Sequence, residues 1–339
     1  MTGSIHAETY KQVAAIAIPG APIADFAVLV IDQTTGLGYL ADKDNRGVVV
    51  FDTRTDKYVS RITGFVGKAK SGTLSGPNGL LVTKGGAELW ASDGDSTIKV
   101  VDLKTGKITA TITTGGKRRA NGMAFDPKNR IVIAVNSNDD PTFISLLSSE
   151  SRTILAKIPV PQSAENLERS AWDARSGMFY TAIPVLREDP TKGILAQIDS
   201  KAGKLVKLHT LDGCHPHSLQ IVSDSTIFLG CSSAHGPNKK PGGDMAVFDI
   251  TSGKIIARHA NQGGNGGSVL NPKLGRYFHS TTTGALMVVD TRTGKLVQKV
   301  TTSRGARSVG VSLANNRVYV ATSAKFGPCG GCIAVYAGE

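Results

Sequence analysis

One pattern recurs through almost the whole chain. A short strand opens after a glycine- or proline-rich loop and runs into a turn rich in Asp and Asn. It appears as GPNGLLVT (76–83), RANGMAFDP (119–127), LERSAWDAR (167–175), HPHSLQIVS (215–223), GNGGSVLNP (264–272) and ARSVGVSLA (306–314), with a looser copy ADFAVLVID (24–32). Each copy is followed by a second short strand, such as ELWASD or RVYVAT, then a third, such as TIKVVD or ALMVVD. A turn of the form D-x-x-T-G-K leads to a fourth. Corresponding positions lie 42 to 53 residues apart, the period of a propeller blade. Short alternating strands punctuated by turn signals fit the same all-β architecture.

The ends of the repeat fix the count. The seventh copy supplies three strands, the last being CIAVYAGE, while YKQVAAIAI (10–18) precedes the first copy as an orphan. Pairing the two removes two exposed sheet edges at once. The expectation is a seven-bladed β-propeller occupying residues 1–339 as one domain. Residues 1–9 form a flexible N-terminus and 10–18 complete the last blade.

Composition then limits the function classes. No apolar run approaches the ~20 residues of a membrane helix, so no membrane span is expected. The formal net charge of +12 raises the question of nucleic acid. Many of the basic residues, however, sit in the repeated turns, as at Asp102–Lys107, Asp249–Lys254 and Asp290–Lys295. Charge dispersed in this way lacks the stripe that tracks phosphates, and nucleic acid is not an expected partner. The segment MTGSIHAETYKQVAAIAIPG shows no basic stretch followed by an apolar one, so it does not read as a signal peptide. P-loop, dinucleotide-binding, H-E-x-x-H and G-x-S-x-G signatures do not occur, and no nucleotide cofactor is expected.

The phrases LWASDGDSTIKVVDLKTGK and LMVVDTRTGKLVQKV resemble the YVTN-type repeat of bacterial and archaeal propellers. The stretches GCHPHSLQIVSDSTIFLGCSS and GARSVGVSLANNRVYVATSAKFGP are similar to blades of its YncE-like members. This resemblance covers nearly the whole chain and implies the fold; such propellers include exported proteins. Pro77-Asn78-Gly79 resembles the gluconolactonase (SMP-30) group, in which carboxylates and asparagines hold a metal. That group has six blades, so its ligand set does not transfer as a whole.

In a propeller the first strand of every blade lines a central channel. Aligning the copies at the opening of that strand selects Asp25, Asn78, Asn121, Glu168, His217, Asn265 and Arg307. A repeat serving structure alone keeps one residue type around the ring; this one varies. Glu168 and His217, on adjacent blades four and five, make up an acid–base or metal-binding pair. Two chemistries follow. Asn78, Asn121 and Glu168, with or without His217, could hold one divalent ion. Oxygen donors favour Ca²⁺, Mg²⁺ or Mn²⁺, and the imidazole favours Zn²⁺ or Mn²⁺. Such an ion would polarise a lactone or ester carbonyl of a small-molecule substrate, with Arg307 steering an anionic group. Without a metal, Glu168 and His217 would act as base and acid in a lyase or isomerase. A channel face that only binds a ligand or protein is the third reading, favoured by Lys68, Lys70, Lys117, Arg118 and Arg119 in the face loops.

Asp25, Asn265, His235 and His279 are candidates for substrate contact. His235 lies in the long loop SSAHGPNKKPGGD (232–244), which could reach over the face as a lid. His279, in FHSTTTG, is expected near the channel mouth. His215 stays in its loop. The four cysteines form two local pairs, Cys214 with Cys231 and Cys329 with Cys332. Pairing of all four suggests an oxidising compartment, periplasmic or extracellular.

Overall fold

The structure, a computed structural model, describes residues 9–68, 74–327, 329 and 331–339. The expected flexible N-terminus, save Thr9, and Lys70 lie outside the described residues. Seven four-stranded antiparallel sheets form a seven-bladed β-propeller. The first blade runs through Phe26–Ile31, Leu37–Asp42, Gly47–Asp52 and Lys57–Thr63. Five more repeat the meander in chain order. The seventh combines Ser308–Val311, Val318–Ala321 and Cys332–Gly338 with Tyr10–Ala17, whose register runs from Tyr10 opposite Gly338 to Ala17 opposite Cys332. The N-terminal strand thus closes the last blade, as the repeat count required.

Burial explains why each strand takes its place. Second and third strands are almost fully buried, as in Glu88–Ser92 and Thr97–Asp102. The fourth alternates exposed and half-buried residues, as in Lys107–Thr113, and forms the outer edge. The apolar side chains of neighbouring blades interdigitate in seven clusters, one at every blade-to-blade contact. The repeated turn has a local cause. The Asp102 carboxylate accepts from the Thr105 backbone N–H and hydroxyl at 2.8 Å, and Gly106 takes φ +69°, where a Cβ would be strained.

A belt of side-chain-to-backbone hydrogen bonds runs around the channel mouth. Asn78 donates to the carbonyl of Ala120 on the next blade (3.0 Å), and Asn121 donates to that of Leu167 (3.2 Å). Ser137 also donates to Leu167 O, and Arg307 to Phe26 O. The glycines after the two asparagines permit this approach. A Cβ on Gly79 would stand 2.3 Å from Asn121 O, and one on Gly122 2.2 Å from Glu168 O. The Asn-Gly pairs are therefore inter-blade contacts, whereas their sequence alone reads as turn chemistry.

Candidate functional site

Inside this belt lies a cavity of ≈ 160 Å³, lined by Lys43, Arg119, Asn121, Asn166, Glu168, Arg169, His217, His235, Asn265 and Arg307 among others. At roughly 30 Å³ per water, that is room for about five waters or a small organic molecule. Six residues expected at the strand openings or in their lid come together here: Asn121, Glu168, His217, Asn265, Arg307 and His235.

One ligand-capable atom from each of Glu168, His217 and His235 lies within 4.8 Å of the others. The local geometry is specific. His217 Nδ1 is 3.3 Å from a Glu168 oxygen but out of line for a hydrogen bond, and it is buried with no other partner among the described residues. His235 Nδ1 contacts the Glu165 carboxylate at 2.9 Å, and its Nε2 is buried without a partner among the described residues. Glu165 is itself paired with Lys239 at 3.3 Å. A carboxylate bound to one ring nitrogen, leaving the other free, is how metal-ligating histidines are held. The protonation states agree. Burial pushes the His217 imidazole down to about 4, more than the Glu168 charge restores, so it is neutral near pH 7. Burial works to raise Glu168, but His217, Arg119 and His235 outweigh it and hold the carboxyl below its ordinary value.

Both histidines are tied to one disulfide. Cys214 and Cys231 are bonded, with Cα atoms 5.0 Å apart, and Pro216 pairs with Cys231 across the sheet. His217 stands three residues after the first cysteine and His235 four after the second. The loop carrying His235 is also pinned at its root, where the Ser232 N–H donates to His215 O at 2.8 Å. His215 in turn holds Pro184 O at 2.7 Å through Nδ1. Cys329 and Cys332 form the second disulfide. Disulfides persist in oxidising compartments, and both pairs accord with an extracellular or periplasmic setting.

Other expected residues are engaged elsewhere. Asn78 is 1% exposed and absent from the cavity wall, its amide donating to Ser75 O and Ala120 O. Asp25 pairs with Arg307 and with Lys68 at 2.9 Å. Burial would raise its carboxyl, but Lys43, Arg307 and Lys68 bring it down to about 2. Arg307 lines the cavity, yet its guanidinium is committed to Asp25 and Phe26 O. His279 belongs to the second strand Arg276–Thr281, fully buried, with Nδ1 3.5 Å from the Ser218 hydroxyl; it does not line the cavity. Lys117 holds Asp139 through its backbone. The polar cavity residues outside the expected set are Lys43, in the turn after Leu37–Asp42, and Asn166 and Arg169, which flank Glu168 within two residues; Arg119 was expected only as a face-loop charge.

Among known proteins, no family model and no curated sequence matches the chain.

Proposed function

We propose that the channel-mouth cavity is the active site of a small-molecule enzyme in which Glu168, His217 and His235 hold a divalent ion. The observation that carries this is the convergence of three metal-capable groups whose ring nitrogens, His217 Nδ1 and His235 Nε2, are buried without hydrogen-bond partners among the described residues. Two imidazoles and a carboxylate form a donor set suited to Zn²⁺ or another first-row metal rather than to Ca²⁺ or Mg²⁺. An anionic Glu168 and a neutral His217 are already in the forms that bind a metal. When bound, the ion supplies Lewis-acid polarisation of an ester or lactone carbonyl and acidifies water.

The chain's own groups would do the rest. Glu165 fixes the His235 ring through Nδ1, and Asn121 contacts the Glu168 carboxylate at 3.4 Å, holding it toward the cavity. Arg119 and Lys43 face the substrate space and would stabilise negative charge developing there. The reaction class supported best is lactonase-like hydrolysis. The metal-free lyase or isomerase reading is weakened because Glu168 and His217 are both unprotonated near pH 7, which leaves that pair without an acid.

Elemental analysis of purified protein tests the ion directly. A stoichiometric first-row metal is expected, removed by chelator and much reduced in Glu168→Gln, His217→Ala and His235→Ala. Metal-restored protein is then assayed by pH-stat against a panel of lactones. No divalent ion above background, with no change in thermal unfolding on adding Zn²⁺ or Mn²⁺, would remove the metal reading.

A further inference from the structure

The cavity carries more positive charge than its own residues neutralise. Among the described residues, four that line it are Lys or Arg, and Glu168 is the one carboxylate. Arg307 is neutralised by Asp25. Lys43, Arg119 and Arg169 make no side-chain hydrogen bond and no ion pair within 4 Å among the described residues. The Arg119 Nε is buried with no acceptor among the described residues. Lys43 is only 7% exposed.

Folded proteins do not leave buried charges unpaired without cost; each is expected to be matched by a counter-charge or a hydrogen-bond acceptor. Among the described residues no acceptor or counter-ion meets these three side chains, and all three line the cavity. The three groups come from different blades: Lys43 from the turn after Leu37–Asp42, Arg119 from the loop before Ala120–Asp126, and Arg169 from just before Ser170–Trp172. Three separate segments thus present uncompensated cations to one small cavity. Burial, then repulsion from Arg307 and Arg119, lowers the Lys43 amine to about 7, against the opposing pull of Asp25 and Glu168.

We infer that Lys43, Arg119 and Arg169 form a binding site for a small molecule bearing at least two negative charges, as carboxylates or a phosphate. The inference rests on the channel-mouth cavity being the working site and does not depend on the ion. If the ion is present, the same dianion offsets its charge beside three cations. The ligand is then an anionic carbonyl compound whose carboxylate or phosphate lies on the cationic side and whose reacting group faces Glu168, His217 and His235. The overall charge of +12 draws such a ligand toward the protein.

Isothermal titration at constant ionic strength tests this with malonate, inorganic phosphate and acetate, on metal-stripped and metal-loaded protein. Both dianions should bind more tightly than acetate by about tenfold or more, and Arg119→Gln should weaken them by a similar factor, since a charge-assisted hydrogen bond is worth about 1.5–3 kcal/mol. Malonate binding tighter than phosphate identifies a dicarboxylate, and the reverse a phosphorylated ligand. Lys107→Gln, on an exposed outer strand, should leave affinity unchanged, and circular dichroism should show every variant folded. The inference is overturned if dianions and acetate bind equally, or if folded Arg119→Gln retains wild-type affinity. Dianion binding to stripped protein that takes up no metal would sink the metal reading alone. Metal uptake without dianion selectivity would sink this inference alone.

Discussion

Replacing Lys43 by Met is expected to stabilise the ligand-free protein, and to do so in a pH-dependent way. The amine falls from 10.5 to about 7 on folding, first through burial and then through Arg307 and Arg119, with Asp25 and Glu168 opposing. At about 1.4 kcal/mol per pH unit, the charged lysine costs the fold up to about 5 kcal/mol. The sign follows from proton counting. Between pH 7 and 10.5 the unfolded chain holds a proton on Lys43 that the folded chain has lost, so stability rises with pH across that window. The penalty is complete below about pH 7 and gone above about 10.5. Urea unfolding of metal-stripped wild type and Lys43→Met, in buffers without multivalent anions, should show the variant ahead by several kcal/mol at pH 6. The gap should narrow at pH 8 and nearly close at pH 10. A variant less stable than wild type at pH 6, or a gap that does not change with pH, refutes the reasoning.

Four other outcomes can be measured. Tyr10→Ala should cost about 3–5 kcal/mol in urea unfolding, because the ring is 2% exposed and meets Phe278 edge-on at 5.2 Å; a loss below 1 kcal/mol would mean the closing strand contributes little. Removing Cys214–Cys231, which spans 17 residues, should lower stability by about 3 kcal/mol on loop entropy and weaken metal affinity, as read by competition with a chromogenic chelator. Gly122→Ala should reduce metal affinity while circular dichroism stays native, since the new Cβ would press on the Glu168 carbonyl; unchanged affinity would show that the backbone there yields freely. Glu165→Gln should lower metal affinity by about 10- to 100-fold, and an unaltered value would deny it the role of orienting His235.

The repeat made the architecture legible because blade spacing, strand order and the orphan strand each follow from one period. The same alignment reached Glu168, His217, Asn121 and Asn265, since positions equivalent in sequence must be equivalent around a closed ring. It could not reach His235 in the same way. The loop 232–244 is longer than the corresponding connection between second and third strands in the other blades, and its place is set by Glu165 on another blade and by a disulfide at its root. Lys43 and Arg169 escaped for a different reason: long side chains travel several ångströms from backbone positions that carry no repeat signal. Asn78 shows the opposite limit. Its sequence context matches Asn121, yet the amide is spent on the backbone of the neighbouring blade, and no pattern of residue types separates a latch from a ligand.

Two of the three metal-capable residues, Glu168 and His217, stand where blade strands open, while the third arrives on a loop. Rates and equilibria should therefore answer to different parts of the molecule. In the proposed metal site, the two residues at the strand openings would set how well an ion is recognised. The time an ion stays would then depend on the loop that carries His235, held by its contact with Glu165 and by the covalent tie at Cys231. A reductant acting on that tie would shorten the ion's residence before it unfolded any blade.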